Sequence, residues 1–359
     1  GAGCDDGSCT YNYGCTDPTA DNYDPNATMD DGSCIWCAAA VSATETFDYT
    51  GSMQSYTVPA GVTTLTIEAY GAEGGDGQGG HATGKGAYIK GDVSVTPGDV
   101  IDILVGEKGH DAGGAGGGGG GTFVVLSNGD VQLVIAGAGG GSTGNSPGHD
   151  GETGNDGGEG DSCPGGGGTG GNGGGDADNC GGGAGGGGGF YSDGGSNGYW
   201  ASQTYGSGYL NGGAGGNSPT GDAYGGYGGG AGTHSNNTGG GAGGGYSGGG
   251  APNHGNGYSG GGGGSYNIDG NGTATAGVQS GNGLVIISVD VNVPGCGCMD
   301  PTASNYDPTA LYDDGSCAWG GCTDPTADNY DVAATFDDGS CIWCNALTSQ
   351  TFNYSGSME

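Results

Sequence analysis

The sequence predicts a mainly β protein: a two-layer β-sandwich carrying a long glycine-rich insertion, flanked along the chain by small disulfide-bonded acidic modules. Three observations lead there. Segments of β-forming residues with alternating polarity sit at both ends of residues 38–295. Glycine makes up 100 of the 359 residues, and apolar periodicity almost vanishes between Gly137 and Gly283. Outside that stretch, three 21-residue modules each place two cysteines at one spacing: Cys15/Cys34, Cys298/Cys317 and Cys322/Cys341.

The strands follow in order. Val62–Tyr70, Ala87–Val95, Val100–Val105, Thr122–Leu126 and Val131–Ala136 have strand composition and period, and Asn128-Gly129 between the last two is a hairpin signal. Leu284–Val291 supplies the final strand. Several strands of this length suggest a two-layer sandwich. Between them, glycine runs such as 181–189, 225–232, 239–250 and 260–264 fit three forms. Collagen needs a strict Gly-X-Y period, which the runs break. A flexible linker suits the composition. A packed bundle of polyproline-II-type glycine helices is the third form, and the one expected here. Without Cβ atoms, such helices approach closely and bond N–H to C=O laterally, and a six-residue run spans about 19 Å, a strand's length.

The cysteines complete the frame. One disulfide is expected in each module, with further pairs Cys163/Cys180, Cys37/Cys296 and Cys4/Cys9. Cys344 is then left over of the 13 cysteines. Zinc is disfavoured, because no CxxC pairs with a second CxxC and the five histidines are scattered. Structural disulfides imply an oxidising, extracellular compartment.

The end of the chain repeats its beginning. Residues 14–37 and 321–344 differ only at Pro25/Val332, Asn26/Ala333 and Met29/Phe336. Thr46–Met53 is answered by Thr351–Met358. The expected organisation is therefore the tail of a preceding module (1–13), module 1 (14–37), the glycine-rich domain (38–295), module 2 (296–320), module 3 (321–344) and the start of another glycine-rich domain (345–359). Cys344, Phe352 and Tyr354 would then belong to contacts between repeats. The chain reads as a stretch of a tandem array. Were Glu359 a true terminus, the copied strand would instead pair into a neighbouring molecule's sheet.

Charge narrows the function. Three lysines and no arginine face 39 carboxylates, a formal net charge of −36. Nucleic-acid binding needs a basic face, which is lacking. No run of 18 apolar residues offers a membrane span.

Two families resemble parts of this chain. The run Tyr56-Thr57-Val58-Pro59, then Thr66–Ala72, Gly98–Gly106, Gly116–Val125 and Val134–Gly141, resembles the glycine-rich domain of the anaplastic lymphoma kinase and leukocyte tyrosine kinase receptors. It is similar also to glycine-rich domains of bacterial and phage surface proteins. The resemblance covers about 38–292 and implies a jelly-roll sandwich whose insertion folds as a polyglycine-II lattice. It implies the fold and not receptor signalling, since no kinase or membrane span accompanies it. The modules resemble the GCxDPxAxNYxxxAxxDDGSC repeats of secreted bacterial surface proteins.

Candidate chemistry lies in two places. Asp17, Asp24, Asp30 and Asp31 of module 1 correspond to Asp300, Asp307, Asp313 and Asp314 of module 2 and to Asp324, Asp331, Asp337 and Asp338 of module 3. Four carboxylates within one disulfide loop suit a calcium ion, although the spacing is not that of an EF-hand. Turn and cap chemistry beside a tyrosine core is the alternative. In the glycine zone, Tyr199, Trp200, Tyr205 and Tyr209 are candidate contacts for a glycan or a protein, or else shields for the bundle. Asn26, Asn236, Asn271 and Asn353 open glycosylation sequons. No phosphate-loop Gly-Lys-Ser/Thr and no nucleophile elbow occurs, so an enzyme is not expected.

The expected function is structural: a repeat unit of an extracellular fibre or surface stalk whose partners are adjacent copies of itself. An adhesin that binds a glycan or receptor through the tyrosine-bearing loops is the alternative. Ice or mineral binding by a flat polyglycine face is the third reading.

Overall fold

The computed structural model describes residues 12–18, 20–35, 37, 43–59, 62–162, 165–176, 183–195, 204–219, 223–234, 239–253, 257–289 and 296–343. The chain divides into two compact units, Ser42–Asp290 and the segments on either side of it. Among the described residues the protein is mainly β, with two antiparallel sheets, three short parallel pairs and four disulfides.

Each module contributes one two-residue parallel pair: β1 (Tyr13–Gly14) with β2 (Met29–Asp30) in module 1. The large unit holds β3 (Ala43–Asp48), β4 (Gln54–Thr57), β5 (Thr64–Tyr70), β6 (Gly86–Ser94), β7 (Val100–Leu104), β8 (Thr122–Leu126), β9 (Val131–Ala136), β10 (Tyr266–Asn267), β11 (Thr273–Gln279) and β12 (Leu284–Val289). β13 (Cys296–Gly297) pairs with β14 (Tyr312–Asp313), and β15 (Gly320–Gly321) with β16 (Phe336–Asp337).

The large unit has two five-stranded antiparallel sheets, ordered β11-β6-β5-β12-β3 and β10-β9-β8-β7-β4. β5 and β6 of the first pack against β9 of the second. Alternation dictates the first sheet's faces. Leu65, Ile67 and Ala69 of β5 and Val285, Ile287 and Val289 of β12 are buried, while the residues between them are half-exposed. β8 and the end of β9 are near-continuous apolar runs, the pattern of strands covered on both sides. Leu104, Phe123, Val125 and Ile135 form one of those sides, and Phe190, Tyr209 and Tyr246 of the glycine-rich region cover it. Thr122 joins the sheets: its hydroxyl donates to the Tyr70 carbonyl (2.7 Å) and accepts from the Gly106 amide (3.0 Å).

The structure departs from the sequence reading at the edges. The opening segment Thr46–Met53 is not one strand. It contains the end of β3 and a turn in which Gly51 has φ +76°, and β4 then joins the other sheet. β11 has no strand signature, being small, polar and almost wholly exposed. It forms because the backbone of β6 needs an antiparallel partner on that side. The β8–β9 hairpin closes through Ser127–Asp130, with Gly129 and Asp130 both at positive φ.

The glycine segments are ordered by backbone bonds that rotate among three neighbours. Gly116 and Gly119 donate to Ser142 and Gly139, Gly117 and Gly120 to His110 and Glu107, and Gly118 and Gly121 to Ala231 and Gly228. The same three-residue period recurs at Gly241 and Gly244, which donate to Gly116 and Gly119. Such spacing excludes side chains. A Cβ built on Gly118 would lie 1.9 Å from the Ala242 carbonyl oxygen, and one on Gly120 1.8 Å from that of Tyr227.

Candidate functional site

The modules are closed as expected: Cys15–Cys34, Cys298–Cys317 and Cys322–Cys341 are disulfides, and Cys37–Cys296 is a fourth. Cys4, Cys9, Cys163, Cys180 and Cys344 lie outside the described residues, as do Phe352 and Tyr354. Four disulfides suit an oxidising environment. Among the described residues, no helix is long and apolar enough to cross a membrane.

Within each loop an asparagine is the staple. Asn305 accepts from the Ala318 amide (2.8 Å) and donates to the Ser316 carbonyl (2.8 Å). Asn22 and Asn329 repeat both bonds. Their shared occurrence is visible in the sequence, but the bond that each makes 13 residues along the chain is not. Tyr23, Tyr306 and Tyr330 do not form a core: they are 42%, 42% and 46% exposed. The buried groups include the first cysteine of each pair, Ala20, Ala303 and Ala327, and in module 2 also Asp314 and the neighbouring Cys296.

The aspartates are spread along the loop as turn caps. Oδ1 of Asp24, Asp30 and Asp31 accepts the amide two residues ahead, from Asn26, Gly32 and Ser33. Asp300, Asp307, Asp313 and Asp314 do the same toward Thr302, Thr309, Gly315 and Ser316. Asp324, Asp331, Asp337 and Asp338 repeat the set in module 3. Hydrogen bonds from the Thr302, Thr309 and Thr326 side chains and amides hold Asp300, Asp307 and Asp324 below the usual carboxylate range. Asp17 also has a partner. Among the described residues, no group of three or more His, Cys, Asp or Glu side chains gathers around one point.

Modules 2 and 3 are joined by bonds. The Trp319 amide donates to Thr335 Oγ1 (2.9 Å), and the Thr335 amide donates back to the Trp319 carbonyl (2.8 Å). Trp319 Nε1 donates to Thr302 Oγ1 of its own module (3.2 Å). Gly320 N donates to Ser304 Oγ (3.0 Å). The same tie stands before module 1, where the Asn12 amide donates to Thr28 Oγ1 (3.1 Å) and the Asn12 carbonyl accepts from the Thr28 amide (2.8 Å). Asp21 and Ser304 occupy equivalent places and differ in charge. They share a function, since Asp21 accepts the Cys37 amide as Ser304 accepts that of Gly320.

In the glycine zone, Tyr199 and Trp200 lie outside the described residues. Tyr205 lines a shallow cleft of about 260 Å³ with Ser207, Gly215 and Asn217. Tyr209 is buried, its ring stacked on Phe190 at 5.0 Å and tilted against Phe123 at 5.1 Å. A serine, a histidine and an aspartate also meet here, in an order unsuited to nucleophile activation. Asp161 sits between the other two, accepting from Ser146 Oγ (2.9 Å) and bonding His149 Nε2 (3.0 Å), while the Ser259 amide adds a third bond. Activation needs the histidine against the serine; here the carboxylate is the hub of a loop anchor. No family model matches the chain, and no curated protein matches it.

Proposed function

We propose that the chain is a repeat unit of an extracellular fibre or cell-surface stalk, in which glycine-rich domains are beads and acidic modules are short stiff spacers. The glycine-rich domain would be a jelly-roll sandwich whose insertion is a polyglycine-II lattice. The three-residue rotation of hydrogen bonds at Gly116–Gly121 supports the lattice, since a threefold helix turns successive amides toward three neighbours. The observation that carries the spacer role is the Trp319–Thr335 exchange of backbone and side-chain bonds. A module joined to the next by such bonds has no free linker at which to bend. Near-identical modules 307 residues apart supply the repeat, and adjacent copies of the chain are its partners.

Electron microscopy of a protein carrying several consecutive 307-residue repeats tests this reading. The expected image is a filament of beads at constant spacing. Collapsed chains with randomly distributed bead separations would overturn it. The ratio of bond loss to bending is accessible too: Thr335→Val should broaden the spacing distribution.

A further inference from the structure

A separate site lies on the outer face of the first sheet, where the sequence marks only Asn271, as the opening of a glycosylation sequon. Alternation sends Glu68 and Tyr70 of β5 and Tyr88 and Lys90 of β6 to the side opposite the core, and register sets Tyr70 beside Tyr88 and Glu68 beside Lys90. The two rings lie 4.7 Å apart, 36° from parallel. Both phenols point at Glu68 Oε2, at 2.9 Å from Tyr88 and 3.4 Å from Tyr70, and Lys90 Nζ bonds Oε1 at 3.0 Å. Burial and the Glu68 carboxylate push the Tyr88 phenol up to about 12, so it stays a hydrogen-bond donor. Four side chains thus hold one another in place before any ligand arrives.

Lys90 also lines a cleft of about 270 Å³, with Asp92, Asp269, Asn271, Gly272 and Thr273 completing the wall. The turn after β10 shapes that cleft. Asn267 Nδ2 donates to the carbonyls of Lys90 and Asn271, and fits because Gly91 has no Cβ: one there would lie 2.5 Å from Asn267 Nδ2. Ring pair, carboxylate, ammonium and cleft are therefore one continuous strip across β5, β6 and β11.

We propose that this strip binds a neutral oligosaccharide. A sugar ring has an apolar C–H face and a rim of hydroxyls. It needs an ordered aromatic surface beside fixed donors and acceptors. Tyrosine supplies such a surface at low conformational cost. Glu68, Asp92 and Asp269 accept from hydroxyls, while Lys90 and Asn271 donate. The cleft is half-open, exposes more apolar than polar surface between the polar tips of Lys90, Asp92, Asp269 and Asn271, and is smaller than the roughly 300–1,000 Å³ of ligand pockets. It suits one sugar of a chain that continues over the rings. Anionic polymers are disfavoured, because the strip's one cation is already paired and the chain carries a formal charge of −36. The inference does not depend on the fibre reading: a filament without glycan affinity and a glycan binder without filaments are separate results.

The test is binding of the full chain to an array of neutral and acidic glycans, followed by calorimetric titration with cellohexaose, mannohexaose and chitohexaose. At least one neutral glycan should bind. Tyr88→Ala and Asp269→Ala should each weaken it at least tenfold, and Tyr88→Phe, which keeps the ring, by less than threefold. Asp269 lies on an exposed turn, so its variant reads the cleft even if Tyr88→Ala fails to fold. Absence of any neutral hit overturns the proposal. So does preference for alginate hexasaccharide, or binding that survives both alanine changes and therefore lies elsewhere.

Discussion

Replacing Gly118 by alanine tests whether backbone contact holds the glycine-rich region together. The new Cβ would lie 1.9 Å from the Ala242 oxygen, 2.4 Å from its carbonyl carbon and 3.0 Å from the Gly241 oxygen. Real Cβ contacts essentially never fall below 3.0 Å, so segment 241–242 must retreat by at least about 1.1 Å. The bonds of that segment include Ala231 N to Ala242 O and Gly241 N to Gly116 O, both 2.9 Å. Stretched so far, neither survives as a hydrogen bond. Two lost bonds at about 1 kcal/mol each, and overpacking at about 1–3 kcal/mol, oppose a gain of about 0.4–1 kcal/mol from the stiffer unfolded chain. The net cost is about 2–5 kcal/mol, or about 5–20 °C in Tm for a domain of this size. Gly154 is the control, because a Cβ there meets nothing within 4 Å. Differential scanning calorimetry of Gly118→Ala and Gly154→Ala under oxidising conditions makes the comparison. If the two melt within about 2 °C of each other, tight backbone packing is not what stabilises this region.

Three further outcomes are expected. Reduction should unfold the modules before the large unit: each 19-residue separation closes a loop worth about 3 kcal/mol, and little else is buried there. Limited proteolysis in a phosphine reductant should cut within 296–343 and spare 43–289, and equal protection of both would refute this. Acid should loosen the modules as well. Asp31, Asp300, Asp307, Asp324 and Asp338 are held below 3.8, so their contribution is complete above that pH and is lost as pH falls through the folded-state values. Carboxyl NMR titration should show Thr302→Val moving Asp300 back up; an unchanged Asp300 would mean that Thr302 is not the cause. Finally, Oδ1 in each of these aspartate turns is already held by the amide two residues ahead, so EDTA should leave melting unchanged. A fall in EDTA that millimolar calcium reverses would show that a cation joins them.

What could be read from the sequence was whatever side chains encode. β8 and β9 match their expected bounds because almost every residue of Thr122–Leu126 and the run Leu133–Ala136 carries a packing signal. Three disulfides follow from the shared module spacing, and Cys37–Cys296 from the two cysteines that flank the glycine-rich domain. β11 escapes notice because Thr273–Gln279 packs nothing and owes its place to β6. Tyr209 cannot be told from its exposed neighbours, because no apolar period runs through the glycines to mark it as the residue stacked on Phe190. The aspartates are ambiguous for a related reason. A carboxylate that caps an amide two residues on is written with the same letter as one that binds a metal, and only the positions of the amides separate the two.

The glycines carry their information by omission, and the alanines among them show how. Ala138, Ala231 and Ala242 are fully buried within the same bonded segments as Gly116–Gly121. A methyl is therefore admitted at some positions of a segment and barred at others. With three neighbours met in turn, the barred positions are those whose Cβ would point at a neighbour's carbonyl, as at Gly118. Specificity then resides in which residues lack a side chain, and the bonds that result belong to the backbone. Such a region can be rigid with almost no apolar core. It leaves the two sheets to supply the hydrophobic packing, and leaves the outer face of β5 and β6 free for side chains, such as Tyr70, Glu68, Tyr88 and Lys90, that the fold does not need for its core.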